Sequence, residues 1–376
     1  MCDGSAVKLA MVELRRVRLP LAAPFRTAAG TAREREVLLV RAVTPDAEGW
    51  GECAAGAAPL YSPEYLDGAW QLLREHLLPR LWTVPDLTAE RVGPALAAVK
   101  GHPMAKAALE MAVLDAELRA EQRSLARRLG AVRERVPAGV AVGIAGSVAE
   151  LLEEVAGHLA AGYRRVKLKI EPGWDVEPVR AVRERFGEGL LLQVDGNGAY
   201  TLADADRLAR LDPFGLLLLE QPLADHDLRG HAELAGRLRT PLCLDESITS
   251  ARMAATALAL GACSVVNVKA GRVGGYLEAR RVHDLCAAAA VPVWCGGMLE
   301  TGLGRAANLA LAALPGFTLP GDLSASARWW RRDLITVPFQ LQDGWLQVPD
   351  GPGLGVAVDE GFLAEVTTGV ERLTPP

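Results

Sequence analysis

Short apolar runs recur at a nearly constant interval through the last two-thirds of the chain. Five of them end in a charged residue, and these residues follow one another at 24 to 26 positions by subtraction of their numbers. They are Lys169, Asp195, Glu220, Asp245 and Lys269, in runs such as RRVKLK, LLLQVD and LLLLE. Short runs of continuous apolar character are typical of strands buried on both faces. The pattern predicts a series of buried strands that carry charged side chains at their carboxyl ends.

The same interval extends beyond these five runs. VPAGVAVG ends near Gly143 upstream, and VPVWC and FTLPG end downstream at Cys295 and near Gly321. Helix-like segments such as residues 147–162 separate the runs. This alternation favours an α/β fold with a parallel, TIM-like (β/α)7β barrel over residues 133–328. An open dinucleotide-binding sheet is the alternative, but no G-x-G-x-x-G follows the first strand.

Residues 1–132 show a different pattern. KLAMVELRRVRLPL and REVLLVRAVT alternate like strands, WGEC ends a third, and helical periodicity follows at 63–80 and 103–128. The second helical segment has an apolar stripe formed by Ala108, Met111, Leu114 and Leu118. After the barrel, residues 329–376 contain the turn-rich, hairpin-like LQDGWLQVPDGPGLG and are expected to return to the first segment. Together the two terminal segments predict an α+β capping domain.

Bulk composition limits the classes of partner. The chain has 376 residues, half of them apolar, and a formal net charge of −5 at pH 7. This charge gives no reason to expect nucleic acid or an anionic membrane as a partner. No apolar run reaches about 18 residues and the start lacks a signal-peptide core, so we expect a cytoplasmic location. The cysteines form no C-x-x-C pair and predict buried free thiols; they are Cys2, Cys53, Cys243, Cys263, Cys286 and Cys295.

Asp195, Glu220 and Asp245 end three consecutive predicted strands. Because the active groups of such barrels gather at the carboxyl ends of the strands, these side chains would project into one space. Three carboxylates with no His or Cys nearby favour Mg²⁺ or Mn²⁺ over zinc. The alternative is that each carboxylate caps a helix or lies on the surface after its strand. Their recurrence in successive repeats predicts a metal site.

Two lysines lie two residues apart on one predicted strand. Lys167 and Lys169 therefore point to the same face, which is either the mouth of the barrel or the side under the helices. The second arrangement would bury both without partners unless they bind helix carboxylates. Lys269, four strands further on, would face Lys169 across the mouth. A metal ion on a substrate carboxylate would stabilise an enediolate, and nearby cations, Arg272 among them, would lower the pKa of a lysine base.

The chain carries six short motifs in an order typical of one enzyme family. They are K-L-K (167–169), Q-V-D-G-N (193–197), L-E-Q-P (219–222), L-D-E-S (244–247), N-V-K-A-G-R-V-G-G (267–275) and C-G-G-M-L-E-T-G-L-G-R (295–305). On these motifs the chain resembles the muconate-lactonising subgroup of the enolase superfamily over nearly its whole length. The resemblance is strongest to N-acylamino acid (N-succinylamino acid) racemases and their o-succinylbenzoate synthase relatives. A lysine base with Mg²⁺ is the arrangement known from that superfamily.

The resemblance implies a role for each matching residue. The implied acid/base pair is Lys169 and Lys269, with Lys167 as an electrostatic helper. The implied metal ligands are Asp195, Glu220 and Asp245, holding Mg²⁺, for which Mn²⁺ or Co²⁺ can substitute. Residues expected directly behind these groups are Asn197 and Glu246. By its position three residues after Lys269, Arg272 is expected either to approach that lysine or to form a salt bridge at the start of the next helix. Residues expected near the substrate, from the last two strand ends, are Gly297, Met298, Glu300 and Asp322; the alternative for Glu300 and Asp322 is that they order Lys269.

Two positions depart from the pattern of similar proteins. Similar proteins often carry D-A-N where this chain has Asp195-Gly196-Asn197, so Gly196 replaces an alanine. They often carry K-P-G where this chain has Lys269-Ala270-Gly271, so Ala270 replaces a proline. Both changes loosen the backbone beside a functional group and leave the level of activity open. The resemblance also implies a small carboxylate substrate, such as an N-acyl amino acid, and a homo-oligomer that can be as large as an octamer.

Substrate choice is expected to come from two loops of the capping domain, Leu21–Thr31 and Glu52–Tyr61. Both are rich in Gly and Ala and contain an isolated aromatic residue, Phe25 or Tyr61, which predicts a roomy apolar pocket. The alternative is that both are flexible linkers. The Gly-rich stretches at 271–275 and 295–304 allow phosphate cradles, but close packing around the lysine and the metal is preferred.

The resemblance implies an enzyme that racemises N-acylated α-amino acids, among them N-succinylated ones, by two-base 1,1-proton transfer. The alternative reaction is the dehydration of a cyclohexadiene carboxylate to o-succinylbenzoate, a lyase step toward menaquinone, alone or beside racemisation. A hypothesis of another class is an inactive homologue that binds acyl amino acids. The complete set of lysines and carboxylates argues against it, because a decayed site is expected to lose some of them.

Overall fold

The computed structural model describes residues 7–27 and 30–376. Its strands are β1 Met11–Thr27, β2 Gly30–Val43, β3 Glu48–Cys53, β4 Arg135–Pro137, β5 Gly139–Val142, β6 Arg165–Lys169, β7 Leu191–Asp195, β8 Leu219–Glu220, β9 Leu242–Leu244, β10 Val265–Val268, β11 Val293–Cys295, β12 Trp345–Gln347 and β13 Thr367–Leu373. Strands β13, β1, β2 and β3 form an antiparallel sheet in that order, and β5 to β11 form a parallel sheet in sequence order. The remaining strands, β4 and β12, form an antiparallel pair.

Helices fill the connections between the parallel strands. The helices of the described ranges are α1 Leu66–Leu72, α2 Leu78–Leu81, α3 Ala89–Leu96, α4 Pro103–Ala120, α5 Leu125–Leu129, α6 Val148–Ala160, α7 Val176–Phe186, α8 Ala205–Ala209, α9 Leu228–Ala235, α10 Ala251–Ala259, α11 Ala270–Val273, α12 Tyr276–Ala288, α13 Gly302–Ala312 and α14 Glu360–Val366. A π turn joins α1 to α2 at Leu73–Leu77, and 3-10 turns lie at Leu202–Asp204, Asp212–Phe214 and Ser326–Arg328. The predicted α/β barrel with a separate capping sheet is confirmed.

The eighth apolar run closes the barrel without forming a regular strand. Phe317 makes an isolated parallel bridge to Val293 at one edge of the sheet, and Gly321 makes another to Ala138 at the other edge. Between them, Pro320 has no backbone N–H to donate to a ladder. Its carbonyl oxygen instead accepts hydrogen bonds from the Arg165 guanidinium, at 2.9 Å from Nη2. The run therefore spans both edges but is too irregular to count as a strand.

Helix α4 is buried on every side. The predicted segment 103–128 divides into α4 and the short α5, and the apolar stripe is buried, but so is most of the rest of α4. The close approach of β3 explains this, because a Cβ at Gly51 would lie 1.9 Å from the Ala108 carbonyl oxygen. Only a glycine allows the strand to rest on the helix backbone at that distance.

Buried carboxylates on α4 bind backbone N–H groups of other elements. Glu110 accepts from Leu277 at the start of α12, at 3.0 Å, and Glu117 accepts from Ala89 at the start of α3, at 2.7 Å. Burial raises the pKa of Glu110 and of Glu117 to about 7 each. Asp115 on the same helix accepts from Leu354, at 2.7 Å. These contacts join the cap, the barrel and the C-terminal segment.

The C-terminal segment contacts the entrance of the barrel first and the cap afterwards, where Gly353 donates to the Arg123 carbonyl oxygen at 2.9 Å. Trp345–Gln347 pairs with Arg135–Pro137 at the entrance to the barrel rather than with the cap. Strand β13 then pairs antiparallel with β1 from Leu373 opposite Val12 to Thr367 opposite Val17. The chain end thus becomes an edge strand of the capping sheet.

Two further predictions concern membrane spans and cysteines. No helix of the described ranges has the length and the apolar character that a membrane span needs. The five described cysteines are free and buried, as predicted: Cys53, Cys243, Cys263, Cys286 and Cys295. Cys2 lies outside the described residues.

Candidate active site

Five charged side chains lie in a row along the carboxyl ends of adjacent strands. Lys169 is the register partner of Asp195, which is itself the partner of Glu220. Asp245 and Lys269 directly follow β9 and β10. The three carboxylates are at most 1% exposed, and Lys269 is 6% exposed. Because parallel strands carry all their carboxyl ends to one edge, the structure brings the predicted residues together in one buried cluster.

Lys167 is the buried counter-ion at the base of the cluster. Its Nζ lies 2.6 Å from Asp322 Oδ2, 2.9 Å from Glu220 Oε2 and 3.2 Å from Asp195 Oδ2. Arg165, two residues earlier on β6, adds a contact of 2.7 Å to Asp322 Oδ1. Burial lowers the pKa of Lys167, but the three carboxylates outweigh it and hold this pKa well above its usual value. Burial, followed by the charge of Asp195, raises the pKa of Glu220.

Lys169 lies at the β6 end of the cluster. Its Nζ donates to Asp195 Oδ2 and to Asn197 Oδ1, each at 2.6 Å. Asn197 Nδ2 in turn donates to Glu246 Oε1 at 2.8 Å. Burial, followed by the charge of Asp245, raises the pKa of Glu246 to about 7. Asn197 therefore links Lys169 to Glu246, and the role of this pair in orienting Lys169 stays a prediction.

Lys269 and Arg272 share two partners on the opposite side. Lys269 Nζ lies 2.7 Å from Asp245 Oδ2 and donates to the Tyr61 hydroxyl at 3.1 Å. Arg272 binds the other oxygen of Asp245, and its Nη1 donates to the same hydroxyl at 3.3 Å. Burial lowers the pKa of Lys269 and Arg272 lowers it further, but Asp245 and Tyr61 outweigh both and raise it. Burial and the Asp245 charge raise the pKa of Tyr61 to about 12.

The three strand-end carboxylates are the candidate ligand set for a divalent ion. The described part of the chain holds no group of three His, Cys, Asp or Glu side chains in the arrangement of a metal site. Lysine ammonium groups and the Arg272 guanidinium bind the oxygens of Asp195, Glu220 and Asp245. The donor chemistry still fits a hard divalent cation, because the set is composed only of buried carboxylate oxygens. The ligand assignment stays a prediction.

A cavity of about 660 Å³ opens above the cluster, within the size range of small-molecule sites. Lys169 and Lys269 both line it, from strands β6 and β10, with Tyr61, Gly297 and Met298 among the other lining residues. The two lysines therefore face one common space, as the barrel geometry predicted. Neither lysine is separated from the cavity by another residue, so both can reach a molecule bound there.

A smaller cavity of about 70 Å³ adjoins the same lysines. Phe25 and Asp322 line it, and the Phe25 ring meets the Trp329 ring edge-on with centroids 4.9 Å apart. Glu300, in contrast, lines neither cavity. Its carboxylate accepts from Asn308 Nδ2 and from the Met298 backbone N–H, each at 2.8 Å. The structure thus places Glu300 behind the loop that carries Met298.

Glycines after β10 and β11 allow close packing rather than forming an open cradle. A Cβ at Gly296 would lie 2.4 Å from Asn267 Oδ1 and 2.6 Å from Lys269 Cε. A Cβ at Gly271 would lie 2.9 Å from the Cβ of Ala54 in the cap. These distances exclude any side chain at either position without a shift, which agrees with the preferred interpretation of the Gly-rich stretches.

Three residues of this region were not predicted from the sequence: Asn267, Arg165 and Arg35. Asn267 donates to Glu220 Oε1 at 2.8 Å, and Arg165 binds Asp322. Both lie two residues before a predicted lysine on the same strand, so the period-2 alternation could have identified them. Arg35 on β2 also lines the large cavity, but no local pattern distinguishes it from the other arginines of that strand.

Known proteins match this chain over nearly its whole length. Residues 150–362 match the family model Enolase C-terminal domain-like, and residues 10–130 match Mandelate racemase / muconate lactonizing enzyme, N-terminal domain. An N-succinylamino acid racemase of Amycolatopsis sp is 67% identical over 362 residues, covering 96% of this chain and 98% of that protein. An o-succinylbenzoate synthase of Geobacillus stearothermophilus is 47% identical over 363 residues, covering 96% of each. The crystal structure of an enolase superfamily member from Listeria innocua superposes with a TM-score of 0.94 at 39% identity, covering 98% of this chain and 99% of that one.

Proposed function

Because the chain belongs to the mandelate racemase and muconate lactonizing enzyme family of the enolase superfamily, we propose that it racemises N-acylated α-amino acids. N-succinyl amino acids are the first substrates to consider, since the 67% identical relative bears the name of an N-succinylamino acid racemase. The observation that carries the proposal is the pair of lysines, Lys169 and Lys269, which face one cavity from strands on opposite sides of the carboxylate row.

The residues that would hold the metal ion are Asp195, Glu220 and Asp245. A bound Mg²⁺, or Mn²⁺ or Co²⁺ in its place, would supply the positive charge that stabilises a substrate enediolate. The buried ammonium of Lys167 would add charge beside Glu220, where it lies 2.9 Å from the carboxylate. The family membership and the oxygen-only donor set support this assignment.

The two lysines would divide the proton transfer between the faces of the α-carbon. One takes the proton as a base, and the other delivers a proton to the opposite face as an acid. Asn197 orients Lys169 through its 2.6 Å contact, and Tyr61 orients Lys269 at 3.1 Å. Arg272 repels the Lys269 ammonium and so offsets part of the rise that Asp245 and Tyr61 cause in the pKa of this lysine.

A second candidate reaction is the dehydration that yields o-succinylbenzoate. The 47% identity to a protein named o-succinylbenzoate synthase, over 363 residues, is the observation that favours it. That reaction needs one lysine to act first as base and then as acid, so the same site can serve both reactions. An inactive homologue is disfavoured, because both lysines and all three carboxylates are present and clustered.

The direct test measures both reactions on the purified protein. N-succinyl-phenylalanine racemisation is followed by polarimetry beside dehydration of the cyclohexadiene carboxylate, each with Mg²⁺ and with Mn²⁺. We expect racemisation with a kcat/KM above about 10⁴ M⁻¹s⁻¹, the lower end for enzymes on their own substrates. Dehydration alone would favour the second candidate, and neither activity would favour the inactive homologue. A homo-oligomer and a cytoplasmic location stay predictions from the resemblance and the sequence.

A further inference from the structure

Arg35 carries a positive charge into the wall of the large cavity from the capping sheet. It lies on β2 and lines the same space as Lys169 and Lys269. Its Nη2 donates to the Ala54 carbonyl oxygen at 2.6 Å, and a Cβ at Gly56 would lie 3.7 Å from its Nη1. The loop after β3 therefore fixes the guanidinium at the edge of the cavity.

The hydrogen-bond donors of the Arg35 guanidinium are not all used. A guanidinium has five N–H donors, and Nε of Arg35 is buried without a hydrogen-bond partner. Among residues 7–27 and 30–376, the Arg35 side chain has one hydrogen bond, to a neutral carbonyl, and forms no ion pair. Burial lowers the pKa of Arg35, which reflects the cost of holding the charge there. An unpaired, partly desolvated cation at a ligand cavity is expected to bind an anion.

The nearest acidic side chains do not fill this role. Glu52 and Glu300 act on Arg35 only through space. Both oxygens of Glu52 already accept from Thr301 or Gly304, at 2.7 to 3.0 Å. Both oxygens of Glu300 accept from Asn308 and from a backbone N–H. Burial also raises the pKa of Glu52 to about 7, so this group carries less than a full charge near neutral pH.

We propose that Arg35 binds a second carboxylate, at the far end of the N-acyl group, and so selects dicarboxylic acyl groups such as succinyl. The inference rests on the proposed racemisation and gives it a substrate class. The reacting α-carboxylate belongs with the lysines and the carboxylate row, whereas Arg35 lines the same cavity from β2 of the capping sheet. A substrate with a second carboxylate, separate from the reacting one, therefore finds a cation in the cap wall of the cavity. Arg35 is in this sense a specificity-determining residue and takes no part in proton transfer.

The test compares two substrates that differ at the acyl terminus alone. N-succinyl-phenylalanine ends in a carboxylate, and N-butyryl-phenylalanine has a methyl group in its place. For Arg35→Met, we expect the ratio of kcat/KM for the succinyl over the butyryl substrate to fall about 10- to 100-fold. The loss should lie in KM for the succinyl substrate, because this contact does not change as the α-proton moves. Arg35→Lys keeps the charge but not the fork geometry and should lose less.

A control variant, Arg33→Met, removes the same charge from an exposed position on the same strand and should leave the ratio unchanged. Equal losses of Arg35→Met on both substrates, or a loss confined to kcat, would mean that Arg35 supports the fold of the site and would overturn the inference. Wild-type protein that racemises both substrates equally well would overturn it too, because the succinyl carboxylate would then add nothing to binding. A wild-type protein that racemises neither would instead contradict the proposed function.

Discussion

Removing the charge of Lys167 should destabilise the empty protein more than any single surface lysine could. In Lys167→Met, the one side-chain partner left to Glu220 within the described ranges is the neutral Asn267 amide at 2.8 Å, while Asp322 keeps Arg165 at 2.7 Å. Breaking a buried ion pair by removing one partner costs about 3 to 5 kcal/mol. Burial and the charge of Asp195 already raise the pKa of Glu220, so proton uptake by Glu220 should limit the loss at low pH.

Urea unfolding measures this cost directly. Circular dichroism is the appropriate signal, because the protein has eight tryptophans and fluorescence would not isolate Trp294, which lies 4.9 Å from Lys167 Nζ. We expect the free energy of unfolding of metal-free Lys167→Met to fall by about 3 to 5 kcal/mol at pH 8, with the m-value unchanged. Saturating Mg²⁺ should recover part of the loss, since the ion binds only the folded cluster. Lys100→Met, at an exposed position, is the control. A loss below about 1 kcal/mol, equal to that of the control, would refute the reasoning.

Three further outcomes are expected. Chelation should abolish activity and Mg²⁺, Mn²⁺ or Co²⁺ should restore it, while Glu220→Gln should weaken metal binding in calorimetry; full turnover by metal-free protein would exclude the metal site. Arg272→Gln should shift the alkaline-rising limb of the rate–pH profile upward, because Arg272 lowers the pKa of Lys269; an unchanged profile would remove it from the mechanism. Burial raises the pKa of Glu110 from 4.5 to about 7, so the folded state binds the extra proton between these values and stability rises as pH falls through 7. This contribution is about 1.3 kcal/mol between pH 8 and pH 6, and denaturation of Glu110→Gln at both values should lack it.

Much of the barrel and the residues of its site could be predicted from sequence because the relevant signals are local. The regular spacing of Lys169, Asp195, Glu220, Asp245 and Lys269 follows from one strand and one helix per repeat. Strand ends of a parallel barrel meet at one mouth, so a one-dimensional interval becomes a three-dimensional cluster. The position of Lys167 beside Lys169 follows from the period of a strand in the same way.

The remaining features depend on contacts between distant segments. The sequence does not reveal that Gly51 lets β3 rest on α4, and so the all-round burial of that helix was not predicted. The irregular eighth run depends on Pro320, whose carbonyl is bound by Arg165 from another strand. Arg35 acquires its place in the cavity only when the cap docks on the barrel. Tyr61 was expected to contact substrate, and its hydroxyl also binds Lys269 across the same interface.

The division of labour between the two lysines is the most direct test of the account. Lys169→Ala and Lys269→Ala are incubated with each pure enantiomer of N-succinyl-phenylalanine in D₂O with Mg²⁺, and racemisation is followed beside deuterium incorporation by NMR. Both variants should lose racemisation by at least about 10²- to 10⁴-fold, the usual contribution of a general acid or base. Each should still exchange the α-proton of one enantiomer, a different one for each variant, because the remaining lysine reaches one face only. Racemisation near the wild-type rate by either variant would contradict the two-base mechanism.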